Sequence, residues 1–366
     1  MFFGSDNTAG VSAKVMAALA AANDGFAGGY GNDELTQKVE KQLGELFEHD
    51  VAVALVSTGT AANALALSCL VEPYGAVICH AESHIVVDEC GAPEFYSGGA
   101  KLVTEAGYGA KLTPQIVAGM LERVGRLVPH HVKPQAVSLT QATEAGTIYS
   151  AEEITAISSL AHERGLRVHM DGARFANAVA ALGCAPAEIT WKAGVDVLCF
   201  GATKAGAMAA EAVIAFDPEI AEELSYRRKR AGHLISKHRF LAAQWLGFLG
   251  NGHWLELAGH ANAMAARLAD GISKSGVGRL AFPVEGNELL VTLPKAVDLR
   301  LKEAGAVIQG RRTDLRRSPP GEDRCSSACY ILCDDCRRRR YLLAPELIGA
   351  SLESQLSLSA IWTVYR

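Results

Sequence analysis

Through the first two thirds of the chain, short β-branched or apolar runs alternate with longer segments of helical period. The strand-like runs are Val51 to Val56, Ala76 to His80, Lys101 to Thr104, Ala136 to Thr140, Arg167 to Asp171, Asp196 to Gly201 and Ala212 to Phe216. Between them lie helix-like stretches such as Ala61 to Leu70, Ala151 to Arg164 and Pro186 to Ala193, the last with its proline where a first helical turn tolerates one. Regular alternation of this kind predicts an α/β fold with a mostly parallel sheet covered on both faces. In such a sheet a ligand sits outside the carboxyl ends of the strands, and Thr58, Asp171 and Lys204 fall at or just after such ends. A helix-rich connection then runs from about Glu219 to Asp270, after which a strand (Glu288 to Leu293) and a helix (Lys295 to Glu303) resume the alternation. This layout predicts an N-terminal segment (1–14) packed on a small domain, a large domain over 15–250 and a smaller α/β domain over 251–306. From about 307 the pattern breaks down, and 307–366 is expected to be an aberrant, disordered tail.

Composition changes little in that picture. The 366 residues are 49% hydrophobic and 20% charged, as in an ordinary enzyme with a large core. A net charge of −5 gives no reason to expect nucleic acid or an anionic membrane as partner, which leaves small molecules. The start, Met1-Phe2-Phe3-Gly4-Ser5-Asp6, lacks a basic n-region, and no segment approaches the roughly 18 apolar residues of a membrane span, so a cytoplasmic enzyme is expected. Of nine cysteines, Cys69, Cys79, Cys90, Cys184 and Cys199 lie singly, most of them in apolar runs that suit buried, reduced thiols.

The chemistry concentrates in three motifs. Ser57-Thr58-Gly59-Thr60-Ala61-Ala62-Asn63 follows a strand and opens a helix, so backbone N–H groups near Gly59 and the Thr60 hydroxyl could cradle a phosphate; an ordinary helix start reads the same way. Asp171, in Val168-His169-Met170-Asp171-Gly172-Ala173-Arg174, could simply cap a turn or pair with Arg174, and Lys204 in its Gly/Ala loop could be solvated. Their order along the chain argues otherwise. Pyridoxal phosphate needs an amine to hold its aldehyde and a carboxylate to keep its ring nitrogen protonated, and Lys204 and Asp171 arrive at one sheet edge. His84, in His80-Ala81-Glu82-Ser83-His84, could stack on the ring or act as a base, or be a polar loop residue, and His80 reads as structural. Arg227-Arg228-Lys229-Arg230 reads as a solvated helix face or as a source of one phosphate contact, from this chain or a neighbouring subunit.

These motifs in this order resemble the threonine aldolase and β-eliminating lyase group of fold-type I pyridoxal phosphate enzymes, from Ser5 to roughly Ala306. Within the group the chain looks most like the phenylserine-aldolase branch, through Ser5-Asp6-Asn7, Asp88-Glu89-Cys90-Gly91-Ala92-Pro93-Glu94-Phe95 and Tyr226-Arg227-Arg228-Lys229-Arg230-Ala231-Gly232-His233. The resemblance implies that Lys204 holds the cofactor aldehyde, Asp171 pairs with the ring nitrogen and His84 lies over the ring. It also implies that Gly59 and Thr60 hold the phosphate, and that Ser5 and Arg174 bind the substrate carboxylate. Lys229 matches a family lysine that helps from a partner subunit, and Tyr30 is expected to enter the neighbouring site of a homodimer or homotetramer. One departure stands out: where low-specificity threonine aldolases carry a histidine, the loop Gln141-Ala142-Thr143-Glu144-Ala145-Gly146 places Glu144. The implied reaction is retro-aldol cleavage of a β-hydroxy-α-amino acid to glycine and an aldehyde, with His84 or Glu144 taking the hydroxyl proton directly or through water. Aminotransferase and β-eliminase chemistry use the same lysine and aspartate, and an inactive relative is a further alternative.

The tail bears on that alternative. Family members close the small domain with a strand reading Arg-x-Val-Thr-Ser-Phe-Ala-Thr-Thr, whereas this chain reads Arg324-Cys325-Ser326-Ser327-Ala328-Cys329-Tyr330-Ile331-Leu332-Cys333-Asp334-Asp335-Cys336. Codons compatible with those residues, read one base later, spell Gly-Ala-Arg-Pro-Leu-Val-Thr-Ser-Phe-Ala-Thr-Thr, which points to a frameshift between about Val307 and Arg324. A zinc site on Cys325, Cys329, Cys333 and Cys336 is the competing reading, but the spacing supplies a single CxxC pair and no metal is expected.

Overall fold

The computed structural model describes residues 2–311 and 327–332. Its strands are β1 (Ala52–Val56), β2 (Gly75–His80), β3 (Lys101–Glu105), β4 (Lys133–Thr140), β5 (Arg167–Gly172), β6 (Val197–Gly201), β7 (Glu211–Ala215), β8 (Arg279–Leu280), β9 (Glu288–Leu293), β10 (Gln309–Arg311) and β11 (Ser327–Leu332). The first seven form one sheet in the order β1-β7-β6-β5-β4-β2-β3, and the last four a second in the order β10-β11-β9-β8. In the large sheet β7 runs antiparallel between β1 and β6, while the pairings among β2 to β6 are parallel. Such a sheet, with helices on both faces, is the fold-type I α/β arrangement expected from the sequence.

Period-two alternation sorts the strand residues onto two cores. Val168, Met170, Leu198, Phe200 and Ile214 join a cluster with Phe47, Phe175, Trp245 and Trp254, whereas Val197, Cys199 and Val213 join Leu65 and Ala66 of helix Gly59–Leu70. On the first face Phe200 meets Phe175, Trp245 and Trp254 edge-on at 5.1, 5.0 and 5.6 Å between ring centroids, pairs worth about 0.5–1.5 kcal/mol each beyond their burial. Asp171 alternates with Met170, so it points to the other face, toward helix Gly59–Leu70.

The seven strands read from the sequence lie within a few residues of those observed, β4 starting three residues earlier than expected. Pro186 to Ala193 differs. It forms two short 3₁₀ turns, Pro186–Ile189 and Trp191–Ala193, broken at Thr190, whose backbone leaves helical geometry (φ −127°, ψ −114°) while its hydroxyl donates to the Pro186 carbonyl. The helix-rich connection resolves into Pro218–Arg230, Arg239–Leu249 and His253–Ser275. Cysteine burial is also mixed: Cys79 and Cys199 are buried, Cys69 and Cys184 half-buried, and Cys90 exposed at a left-handed turn position (φ 51°).

A separate core, including Ala265, Leu268, Leu289, Val291, Leu293 and Ile308, underlies the small sheet. Phe3 packs on it, Phe2 bridges Val307, and the Phe3 amide donates to the Val307 carbonyl at 2.8 Å. Two strands come from the segment expected to be disordered. β11 pairs with β9 over six residues and with β10 over three, a placement its apolar and aromatic run Ala328-Cys329-Tyr330-Ile331-Leu332 suits. Arg324, Cys325, Cys333 and Cys336, which flank β11 in the cysteine-rich run, lie outside the described residues, and so do the frameshift and zinc readings as a whole. Among the described residues no helix is long and apolar enough to cross a membrane, and no cluster of metal-ligating side chains occurs.

Candidate active site

Five of the expected side chains, Asp171, Lys204, His84, Arg174 and Glu144, converge at the carboxyl ends of the strands. Asp171, 3% exposed near the end of β5, accepts hydrogen bonds from Asn63 Nδ2 at 2.9 Å and from the Ala173 amide at 3.0 Å. Lys204 follows β6 in the loop to β7 and lies close enough to Asp6, His84, Glu211 and Glu288 to act electrostatically on each. Gly201, three residues earlier, is required by close approach: a Cβ there would stand 2.6 Å from the Ala173 carbonyl oxygen.

His84 opens the single turn His84–Val87, and its Nδ1 lies 2.8 Å from Glu89 Oε1. That bond holds the imidazole pKa above its ordinary value against the opposing effect of burial, with Asp171 and Glu144 adding to it and Lys204 opposing. Glu89, with a wholly buried side chain, is pushed up by desolvation and pulled back by His84 and Asn63. His80 ties the backbone together on both sides: its Nδ1 accepts from the Glu82 amide at 3.0 Å, and its Nε2 donates to the Gly107 carbonyl at 3.2 Å.

Arg174 is 6% exposed and is held by two carboxylates of the chain itself. Nε and Nη2 reach Asp6 at 2.7 and 3.2 Å, and Nη2 also reaches Glu288 at 2.8 Å. Arg174 holds the Asp6 carboxyl below its ordinary range despite burial, whereas burial pushes the Glu288 carboxyl well above it against the pull of the same arginine. Glu144 acts on Arg174, Glu288 and His84 from the loop before helix Ala151–Glu163. Gly146 seats that loop on β9: its φ is +77°, and a Cβ would come within 2.6 Å of the Glu288 carbonyl oxygen.

Where β1 gives way to helix Gly59–Leu70, Thr58 caps the helix by accepting from the Ala61 amide at 3.1 Å, which leaves Gly59 and Thr60 in the first turn where N–H groups lack intrahelical carbonyls. A Cβ built at Gly59 meets nothing within 4 Å, so the loop faces open space. A buried carboxylate at Asp171 held by two donors, a lysine at the next strand end and an open helix N-terminus together fit pyridoxal phosphate.

The remaining expected residues are placed differently. Ser5 caps the turn Asp6–Thr8 and accepts from the backbone and side-chain nitrogens of Asn7. Tyr30 and Lys229 form an exposed pair of their own, Lys229 Nζ lying 4.8 Å from the Tyr30 ring centroid. Sequence reasoning gave no role to Asp6, Asn63, Glu89, Glu211 or Glu288. Asn63 closes the quoted phosphate motif and Glu89 stands five residues after His84, so both were in view, but their partners lie on other elements.

The fold, the lysine and aspartate at adjacent strand ends and the open helix terminus define a pyridoxal phosphate-dependent enzyme of fold type I. Residues 3–295 match the Beta-eliminating lyase family, and the chain belongs to it. It is 46% identical over 303 residues to the low specificity L-threonine aldolase of Pseudomonas sp. (strain NCIMB 10558), covering 83% of this chain and 87% of that one. Among solved structures, a threonine aldolase of Leishmania major superposes with a TM-score of 0.83 at 29% identity, over 95% of this chain and 96% of that one. A Sphingomonas wittichii serine palmitoyltransferase, at 17% identity, shares the fold with a TM-score of 0.65 over 92% and 82%.

Proposed function

We propose that this protein cleaves β-hydroxy-α-amino acids of the threonine, allo-threonine and phenylserine type to glycine and an aldehyde, as a cytoplasmic homodimer or homotetramer. The observation that carries the reading is His84, with Glu144 beside it, next to the Lys204 and Asp171 pair. A proton acceptor for a β-hydroxyl is what aldol cleavage needs and amino transfer does not.

Pyridoxal phosphate, when bound, supplies an aldehyde for amines and a ring that accepts electrons from a breaking Cα–Cβ bond. Lys204 offers the amine that holds the aldehyde, Asp171 keeps the ring nitrogen protonated, and Gly59 and Thr60 hold the phosphate. Asn63 and the Ala173 amide donate to Asp171 and hold its side chain in place. Arg174 orients the substrate carboxylate with help from Ser5, and since Asp6 and Glu288 already ligate it, substrate enters by displacing or sharing one of them. His84 accepts the β-hydroxyl proton at Nε2, with Glu144 as the alternative acceptor. Tyr30 and Lys229, on the exposed surface, reach the neighbouring subunit's site. Incubating purified enzyme with L-threonine, L-allo-threonine or L-phenylserine tests the reading: glycine and the matching aldehyde are expected in equal amounts. Transfer of the amino group to pyruvate without glycine would overturn it.

A further inference from the structure

The hydrogen bonds at His84 continue past Glu89. Glu89 Oε1, which faces His84 Nδ1 at 2.8 Å, also accepts from Asn63 Nδ2 at 2.8 Å, and the same Asn63 nitrogen donates to Asp171 Oδ2 at 2.9 Å. Three elements supply this chain: the turn after β2, helix Gly59–Leu70 and the end of β5. It links the imidazole proposed as base to the carboxylate proposed to hold the ring nitrogen.

The donor and acceptor roles along it are fixed by chemistry. The Asn63 amide nitrogen carries two protons and no available lone pair, so both oxygens it touches must accept. Turning the amide over would set Oδ1 against two carboxylate oxygens, which the observed orientation avoids even though it leaves buried Oδ1 without a hydrogen-bond partner. Glu89 Oε2 is likewise buried without one, so both side chains forgo a bond on the far side to keep the shared contact. As a carboxylate, Glu89 accepts at Oε1 from both neighbours, which puts the proton of its bond to His84 on Nδ1.

We infer that Glu89 and Asn63 are positioning residues: Glu89 holds His84 in the Nδ1–H tautomer so that Nε2 exchanges the substrate proton, and Asn63 couples that imidazole to the charged state of Asp171. The inference deepens the aldolase reading and rests on it for the identity of the proton moved. The groups facing His84 are Glu89, Asp171, Glu144 and Lys204, three acids against one base, and Glu89 is the one in direct contact. A carboxylate there stabilises the imidazolium, and its removal makes His84 lose its proton at lower pH.

Nitrogen-15 NMR of histidine-labelled holoenzyme reads the state of His84 without reference to turnover, with His84→Gln assigning the signal. In wild type the neutral imidazole is expected with its proton on Nδ1. Glu89→Gln keeps the shape and an acceptor oxygen but removes the charge, so the His84 titration should move to lower pH. The acid limb of the kcat–pH profile should move with it, and kcat should fall about tenfold while KM changes less than about twofold. Asn63→Leu should leave the His84 tautomer in place but shift the pH titration of the cofactor's visible absorption band. An unmoved His84 titration in Glu89→Gln, or an unmoved band in Asn63→Leu, overturns the inference. Should Glu89→Gln fail to fold, wild type alone decides, because a neutral His84 protonated at Nε2 overturns it equally. Absence of glycine production would sink the aldolase reading instead, and the tautomer would be judged separately.

Discussion

Lys204 and Arg174 should separate cleanly under substitution. Lys204→Ala is expected to abolish the borohydride-reducible attachment of the cofactor, checked by mass spectrometry of reduced protein; a pyridoxyl group on another lysine in wild type would refute the assignment. Arg174→Lys keeps the charge but loses the fork that grips Asp6 at 2.7 and 3.2 Å. A lost charge-assisted contact is worth about 1.5–3 kcal/mol, so KM should rise by about one to two orders of magnitude with a smaller change in kcat, read from steady-state kinetics. Lys204, Asp171 and His84 were legible in the sequence because each stands at a strand end in a motif whose order carries meaning. The grip of Glu288 on Arg174 was not, since 114 positions separate them and nothing local in Asn287-Glu288-Leu289 marks an acid that folds against a distant arginine.

At the scale of elements, apolar runs marked the strands of the large sheet closely, because strands buried along their whole length, such as β2 and β6, read as near-continuous apolar stretches. Pro186 to Ala193 escaped, since a proline at a helix start reads the same whether an α-helix or a 3₁₀ turn follows, and the break at Thr190 comes from its own backbone geometry. The loop carrying Glu144 depends on one residue. Gly146→Ala would place a Cβ 2.6 Å from the Glu288 carbonyl at a backbone angle that L side chains rarely adopt. A loss of about 1–3 kcal/mol is expected, seen as a lower Tm, and the shift of Glu144 should lower kcat in the same variant.

For the whole molecule, buried acids make stability depend on pH. Burial raises Glu211 from its ordinary 4.5 to about 7, with Thr203 and Lys204 opposing. The folded protein therefore binds this proton more tightly than the unfolded chain does. The resulting contribution is fully present below about 4.5 and is lost as pH rises to about 7, at most on the order of 3 kcal/mol. Glu288, raised to about 8, extends the same trend upward. In cofactor-free protein the Tm should therefore fall between pH 5 and 8, and Glu211→Gln should flatten that slope, measured by calorimetry across the range; an unchanged slope would show that Glu211 does not carry it.

The bond from the Phe3 amide to the Val307 carbonyl ties the beginning of the chain to a residue made some three hundred positions later. During synthesis at about 5–20 residues per second, Phe3 leaves the ribosome roughly 15–60 s before its partner exists. Asp6, three residues on, cannot be anchored by that strand contact in the meantime, so Arg174 spends the interval with one end of its clamp untethered. The clamp around Arg174 thus cannot be complete until Glu288 and Val307 have been made, long after the residues that open helix Gly59–Leu70.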